Sequence, residues 1–108
     1  MRQQGPDYMV DKSEIITIKV EKNQDPYLAS FSRIDGAAWL STEQNGLIEV
    51  RKFQAPNVSG ATVDFVITFD FQDPADHYDE TVSGNQGGQV VVPIDPPALA
   101  LKHHFIVG

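Results

Sequence analysis

The chain has 108 residues, 41% hydrophobic and 21% charged, with no cysteine. This fits one globular domain with its own core and excludes disulfides, thiolate metal centres and cysteine nucleophiles. Fifteen acids against eight bases give a formal charge of −7, which sets the chain against nucleic acid and anionic membrane surfaces.

The charge is unevenly spread. Residues 1–52 carry eight acids and seven bases, whereas residues 53–108 carry seven acids and a single base, Lys102. No apolar run reaches the roughly 18 residues of a membrane helix. Residues 1–10 lack the apolar stretch of a signal peptide, which together with the missing cysteines favours a cytoplasmic location.

Residues 1–11 are polar, contain Gly5 and Pro6, and read as a flexible lead-in to a single domain over 12–108. A first strand is expected over 13–20, with Ile16, Ile18 and Val20 on one face. Asn23, Gln24, Asp25 and Pro26 break it. A second strand over 27–34 sets Tyr27, Ala29 and Phe31 on one face, and Asp35-Gly36 signals a turn. A short third strand over 37–41 carries Trp39, a core candidate.

Asn45-Gly46 is the strongest hairpin signal, since both residues tolerate positive φ. The strand that follows, 47–53, alternates poorly: Leu47 and Phe53 share a face with Glu49 and Arg51, leaving the inward side open. The clearest element is 62–71. Val63, Phe65, Ile67, Phe69 and Phe71 fall on one face, and Thr62, Asp64, Thr68 and Asp70 on the other, the order of a half-buried antiparallel strand.

Residues 72–88 read as a long polar loop with a short strand at 80–82. A β-branched run over 89–94 contains Pro93, so the strand is expected either to lie at a sheet edge or to stop at Val92. The last strand is expected over 99–107, with His103 beside Leu101 and Phe105 as a partly buried histidine and His104 on the opposite face. Short strands separated by turn signals, without a long helical period, give an all-β fold: an antiparallel β-sandwich of about seven strands, with immunoglobulin-like and jelly-roll topologies both open.

The chemistry-bearing residues concentrate in one stretch. Asp70, Asp73, Asp76, Asp79 and Glu80 supply the oxygen ligands that calcium prefers, although the EF-hand spacing is absent. His77, Tyr78, Asn85 and Gln86 add rings and amides suited to a glycan. The glycines at 84, 87 and 88 do not form a phosphate loop, and no GxSxG elbow is present.

The leading expectation is therefore a non-enzymatic interaction or structural domain that binds a protein surface or self-assembles into an oligomer, with no cofactor. Ile15, Ile48, Val50, Val66 and Ile106 lie on the second faces of their strands and are the candidate contact positions. One alternative is a calcium-assisted carbohydrate-binding module using the 70–88 loop. Another is an acidic decoy of a basic nucleic-acid-binding partner, motivated by the charge of the second half.

Overall fold

The computed structural model describes residues 1–34, 38–85, 88–97 and 100–108. Ten strands follow one another without a helix among the described residues: β1 (Arg2–Gln4), β2 (Asp7–Val10), β3 (Ile15–Lys22), β4 (Ala29–Arg33), β5 (Ser41–Asn45), β6 (Ile48–Gln54), β7 (Thr62–Phe69), β8 (Tyr78–Gly84), β9 (Gln89–Ile94) and β10 (Ala100–Val107). They form two five-stranded sheets in the orders β1-β2-β10-β7-β4 and β5-β6-β3-β8-β9. All neighbours are antiparallel except β2 and β10, which run parallel.

The alternation of β7 holds in three dimensions. Val63, Phe65, Ile67 and Phe69 are all buried, while Thr62 and Thr68 are exposed. Phe65 lies at the middle of the inter-sheet core, within 5.0–6.4 Å, centroid to centroid, of Phe31, Trp39, Phe53, His103 and Phe105. Opposite it, β3 contributes Ile16, Ile18 and Val20, none with measurable exposure. Each such side chain removed from water favours folding by about 1.5–3 kcal/mol.

The structure departs from the sequence reading at four places. Residues 1–11 are not a loose lead-in: β1 and β2 form an antiparallel pair, and β2 docks along β10 with Tyr8 and Val10 in the core. Trp39 precedes its strand, which begins at Ser41. The expected turn at Asp35-Gly36 and the start of the last strand at Leu99 lie outside the described residues. The β5–β6 turn is centred one residue later than expected, on Gly46 and Leu47. Gly46 alone has positive φ, at 62°, and glycine in the first central position is what a type II′ hairpin turn needs.

The largest departure is β8. The polar stretch 78–84 is an inner strand, hydrogen-bonded to β3 and β9. Tyr78, Glu80 and Val82 point into the core, and Asp79, Thr81 and Ser83 point out. The polar look of the segment hid this because one of its three inward residues is a carboxylate.

Replacing Phe65 by alanine is expected to destabilise the domain by about 3–5 kcal/mol in equilibrium denaturation, through lost transfer energy and the cavity left behind. Thr68→Ala, on the exposed face of the same strand, is expected to stay within about 0.5 kcal/mol.

Candidate functional site

The five expected calcium ligands do not gather. Because β8 alternates, Asp79 lies on the outer face of its sheet and Glu80 on the inner face. Asp76 is buried, and its oxygens accept from the backbone N–H of Gln72 (2.8 Å) and Asp73 (3.1 Å) and from the Gln24 amide (2.6 Å). The buried Lys22 ammonium lies 3.1 Å from its second oxygen. Asp73 accepts from the N–H of Ala75, and Asp70 is exposed. Among the described residues, no group of three or more His, Asp or Glu side chains is placed to hold a metal ion.

What these residues build is a knot between two loops. Tyr78, fully buried, donates to the carbonyl of Asp70 and accepts from the N–H of Leu28. Asn23 accepts from the N–H of His77 and donates to the carbonyl of Ala75. Four donors hold the Asp76 carboxyl well below the usual carboxylate range; the Gln24 amide and the Gln72 N–H contribute most, and burial opposes them.

His77 sits between two carboxylates, Nδ1 at 2.6 Å from Asp95 and Nε2 at 2.9 Å from Asp79. These bonds, that to Asp95 first, push its pKa up. Asn85 accepts from the N–H of Ile15, and Gln86 lies outside the described residues. The glycine stretch does permit close approach, but by the chain itself. A Cβ on Gly84 would stand 2.0 Å from the Glu14 carboxylate, and one on Gly88 would stand 2.1 Å from the carbonyl of Met1.

The other assembly lies where β4, at the edge of one sheet, meets β6 in the other, and no sequence motif announced it. The inner face of β6 carries Glu49, Arg51 and Phe53. Glu49 is buried and accepts from the Tyr27 hydroxyl and from Arg51 Nε, both at 2.7 Å. Burial, then the bond to Glu49, drives the Tyr27 phenol far above its ordinary pKa, so it stays protonated and donates to Glu49.

The Arg51 guanidinium lies 4.6 Å from the Phe31 ring and 5.3 Å from Trp39. Arg33, also inward, lies 5.2 Å from Trp39 and donates to the carbonyl of Ala38. Two guanidiniums therefore flank one indole, a cation–π arrangement that suits arginine. Ile34 and Leu40, at either end of the β4–β5 connection, are each 56% exposed.

Beside this cluster runs the edge of β4, which pairs with no further strand among the described residues. Asp70 N–H bonds to Leu28 O and Ile34 N–H to Asp64 O. In an antiparallel ladder the bonded pairs alternate, so with this register Ser30 and Ser32 bond to β7 while the backbones of Ala29 and Phe31 face outward. The same alternation, fixed by Gly84 N–H on Gly88 O, turns Pro93 of β9 to its free edge, where its missing N–H costs no ladder bond.

No family model, no curated protein and no solved structure matches this chain. Its function has to be read from these side chains.

The expected contact positions divide between two surfaces. Ile15, Ile48 and Val50 lie on the outer face of one sheet, Val66 and Ile106 on the outer face of the other, and all are half-buried. They do not form one patch.

Two pH effects follow from the loop knot. Because Asp76 titrates below the ordinary 3.8 in the folded state, its network stabilises fully above that value and is lost as the pH falls through the lowered pKa. Asp76→Asn is expected to lower stability at neutral pH and to flatten the acid limb of a stability–pH curve. His77 titrates above its ordinary 6.5, so its contribution is complete below 6.5 and is lost as the pH rises through the raised value. An NMR titration is expected to show that pKa falling in Asp95→Asn.

Proposed function

We propose that this is a non-enzymatic interaction domain that takes an extended, acidic segment of a protein partner along the open edge of β4, beside the Trp39 cluster. The observation that carries the reading is the β4 edge, whose first four residues hold no proline and no charge. The other edges show the devices that suppress strand addition. β1 is three residues long, β9 carries Pro93 at its rim, and β5 is a fully exposed polar strand with Glu43 at its centre. β4 has neither proline nor acid; its one charge, Arg33, stands at its end and turns inward over Trp39, and Phe31 stands half-buried beside Arg51.

Edge addition draws affinity from main-chain bonds and specificity from the flanking pockets. Arg33 and Arg51 lie together in a chain that is otherwise strongly acidic, and the two guanidiniums outnumber the one carboxylate, Glu49, that Arg51 meets there, so charge complementarity favours a segment carrying carboxylates.

The strand order supports an immunoglobulin-like topology over a jelly roll. The order β5-β6-β3 has the pattern of strands D, E and B of that fold, and β4-β7-β10 that of C, F and G. The β8–β9 hairpin is then an insertion between F and G. Domains of this kind present edges and loops to partners without changing shape.

The test uses a blocked peptide of alternating valine and glutamate, with valine–lysine as control. Amide shifts are expected at Ala29 and Phe31 with the acidic peptide only. They are expected to weaken at least about tenfold in Ala29→Pro, which removes an edge donor that the ladder does not use. Shifts confined to β5 or β9, or none, would overturn the reading. A concentration-dependent dimer in sedimentation, lost in the same variant, would assign the edge to a second copy of the chain instead.

A further inference from the structure

The flank opposite the Trp39 cluster holds a second polar assembly. β8 and β10 face each other across the sandwich, and Glu80 and His103 meet between them, Nε2 to Oε2 at 2.7 Å, with exposures of 0% and 3%. Among the described residues Glu80 makes this one side-chain bond, and its other oxygen is buried without a partner there. Tyr8 from β2 stands edge-on to the His103 ring at 5.5 Å and stacks on Phe105. Burial, aided by the Glu80 charge, pushes the Tyr8 phenol up to about 12, so it stays protonated.

A cleft of about 170 Å³ opens onto this group, lined by Gln3, Pro6, Tyr8, Val92, Leu101, Lys102 and His103. Pockets for drug-sized ligands run about 300–1,000 Å³, so this one suits a group of a few heavy atoms. Its walls combine apolar residues, Pro6, Val92 and Leu101, with Tyr8 and His103, both of which carry polar groups. Lys102 is the one lysine or arginine after Lys52, and it lines this cleft.

The three histidines show what the cleft is fitted for. His77 is held by carboxylates on both ring nitrogens. His104 bonds Asp64 on one neighbouring strand and has Asp7 as its register partner on the other. His103 has a carboxylate on Nε2 alone. Its Nδ1 makes no hydrogen bond among the described residues, and the residue lines the cleft. A second carboxylate at Nδ1 would give His103 the same two-sided hold as His77, with the Tyr8 hydroxyl as a further donor.

We propose that the cleft between β2, β10 and β9 binds a carboxylate on a short apolar stem, held by His103 and Tyr8 with Lys102 at the cleft and braced from behind by Glu80. Two sources share this chemistry: a free short-chain carboxylic acid and a glutamate side chain of a partner protein. The inference stands apart from the β4 edge, on the opposite flank.

The experiment titrates the full chain with propionate, with N-acetylglutamate amide and with 1-propanol, following the His103 imidazole nitrogens and the Tyr8 ring by NMR. A saturable shift at His103 Nδ1 in the millimolar range is expected with a carboxylate and not with the alcohol. Propionate alone would assign a free acid, and equal or tighter binding of the glutamate derivative would assign a partner's side chain. Val92→Phe fills the cleft from the position cross-strand to Glu80 and keeps both members of the His103–Glu80 pair; it is expected to weaken binding at least about tenfold while the amide spectrum stays folded and the His103 Nε2 signal stays that of the Glu80-bonded ring. His103→Gln is expected to abolish binding. No saturable shift with either carboxylate, a response to the alcohol equal to that of propionate, or binding unchanged in Val92→Phe would overturn the proposal.

Discussion

A pleated strand delivers every second residue to the core whether or not that residue is apolar, and this constraint shapes the whole molecule. Lys22, Glu49, Glu80 and His103 all fall on inward positions of their strands. A charge taken out of water without a partner costs several kcal/mol, so each has to meet a complement. Most complements come from other elements: Asp76 for Lys22, Tyr27 for Glu49, and His103 with Glu80 across the sandwich; Glu49 also meets Arg51 of its own strand. The loops fold as they do because these partners must arrive.

The apolar core fills the space between the charged groups. Phe65 and the rings around it form the middle, and the polar assemblies sit toward the rims, where loops or solvent reach them. The Lys22–Asp76 pair ties the loop after β3 to the loop after β7. The Glu49 group closes one flank under Trp39, and the His103 group lines the other beside β2. Breaking any of these by removing one partner leaves a buried charge, so each is tied to stability as well as to local shape.

This arrangement explains why the acidic loop, the part of the chain richest in chemical groups, is a structural joint. Its carboxylates are spent on N–H donors and on Lys22, and its tyrosine on backbone groups. The features on which the two proposals rest are less conspicuous ones: the edge of β4, two guanidiniums beside an indole, and a histidine lining a small cleft. Two of the three lie on strands whose sequence looks ordinary.

The sequence by itself determined the all-β class, the inward face of β7 and the partly buried state of His103, and it confined the Pro93 strand to a sheet edge or an early stop. Each follows from local chemistry: side-chain alternation with period two, a missing N–H, or a neighbouring apolar pair on the same face. The tertiary structure alone decided that 78–84 is a core strand, that residues 1–11 pair with β10, and which face of β6 turns inward. There the local pattern was ambiguous because charged residues occupy inward positions. For Lys22 and Glu80 the partner that makes burial favourable lies tens of residues away in the chain, and no spacing within the strand records it; Glu49 has Arg51 two residues on, but its second partner, Tyr27, comes from another segment.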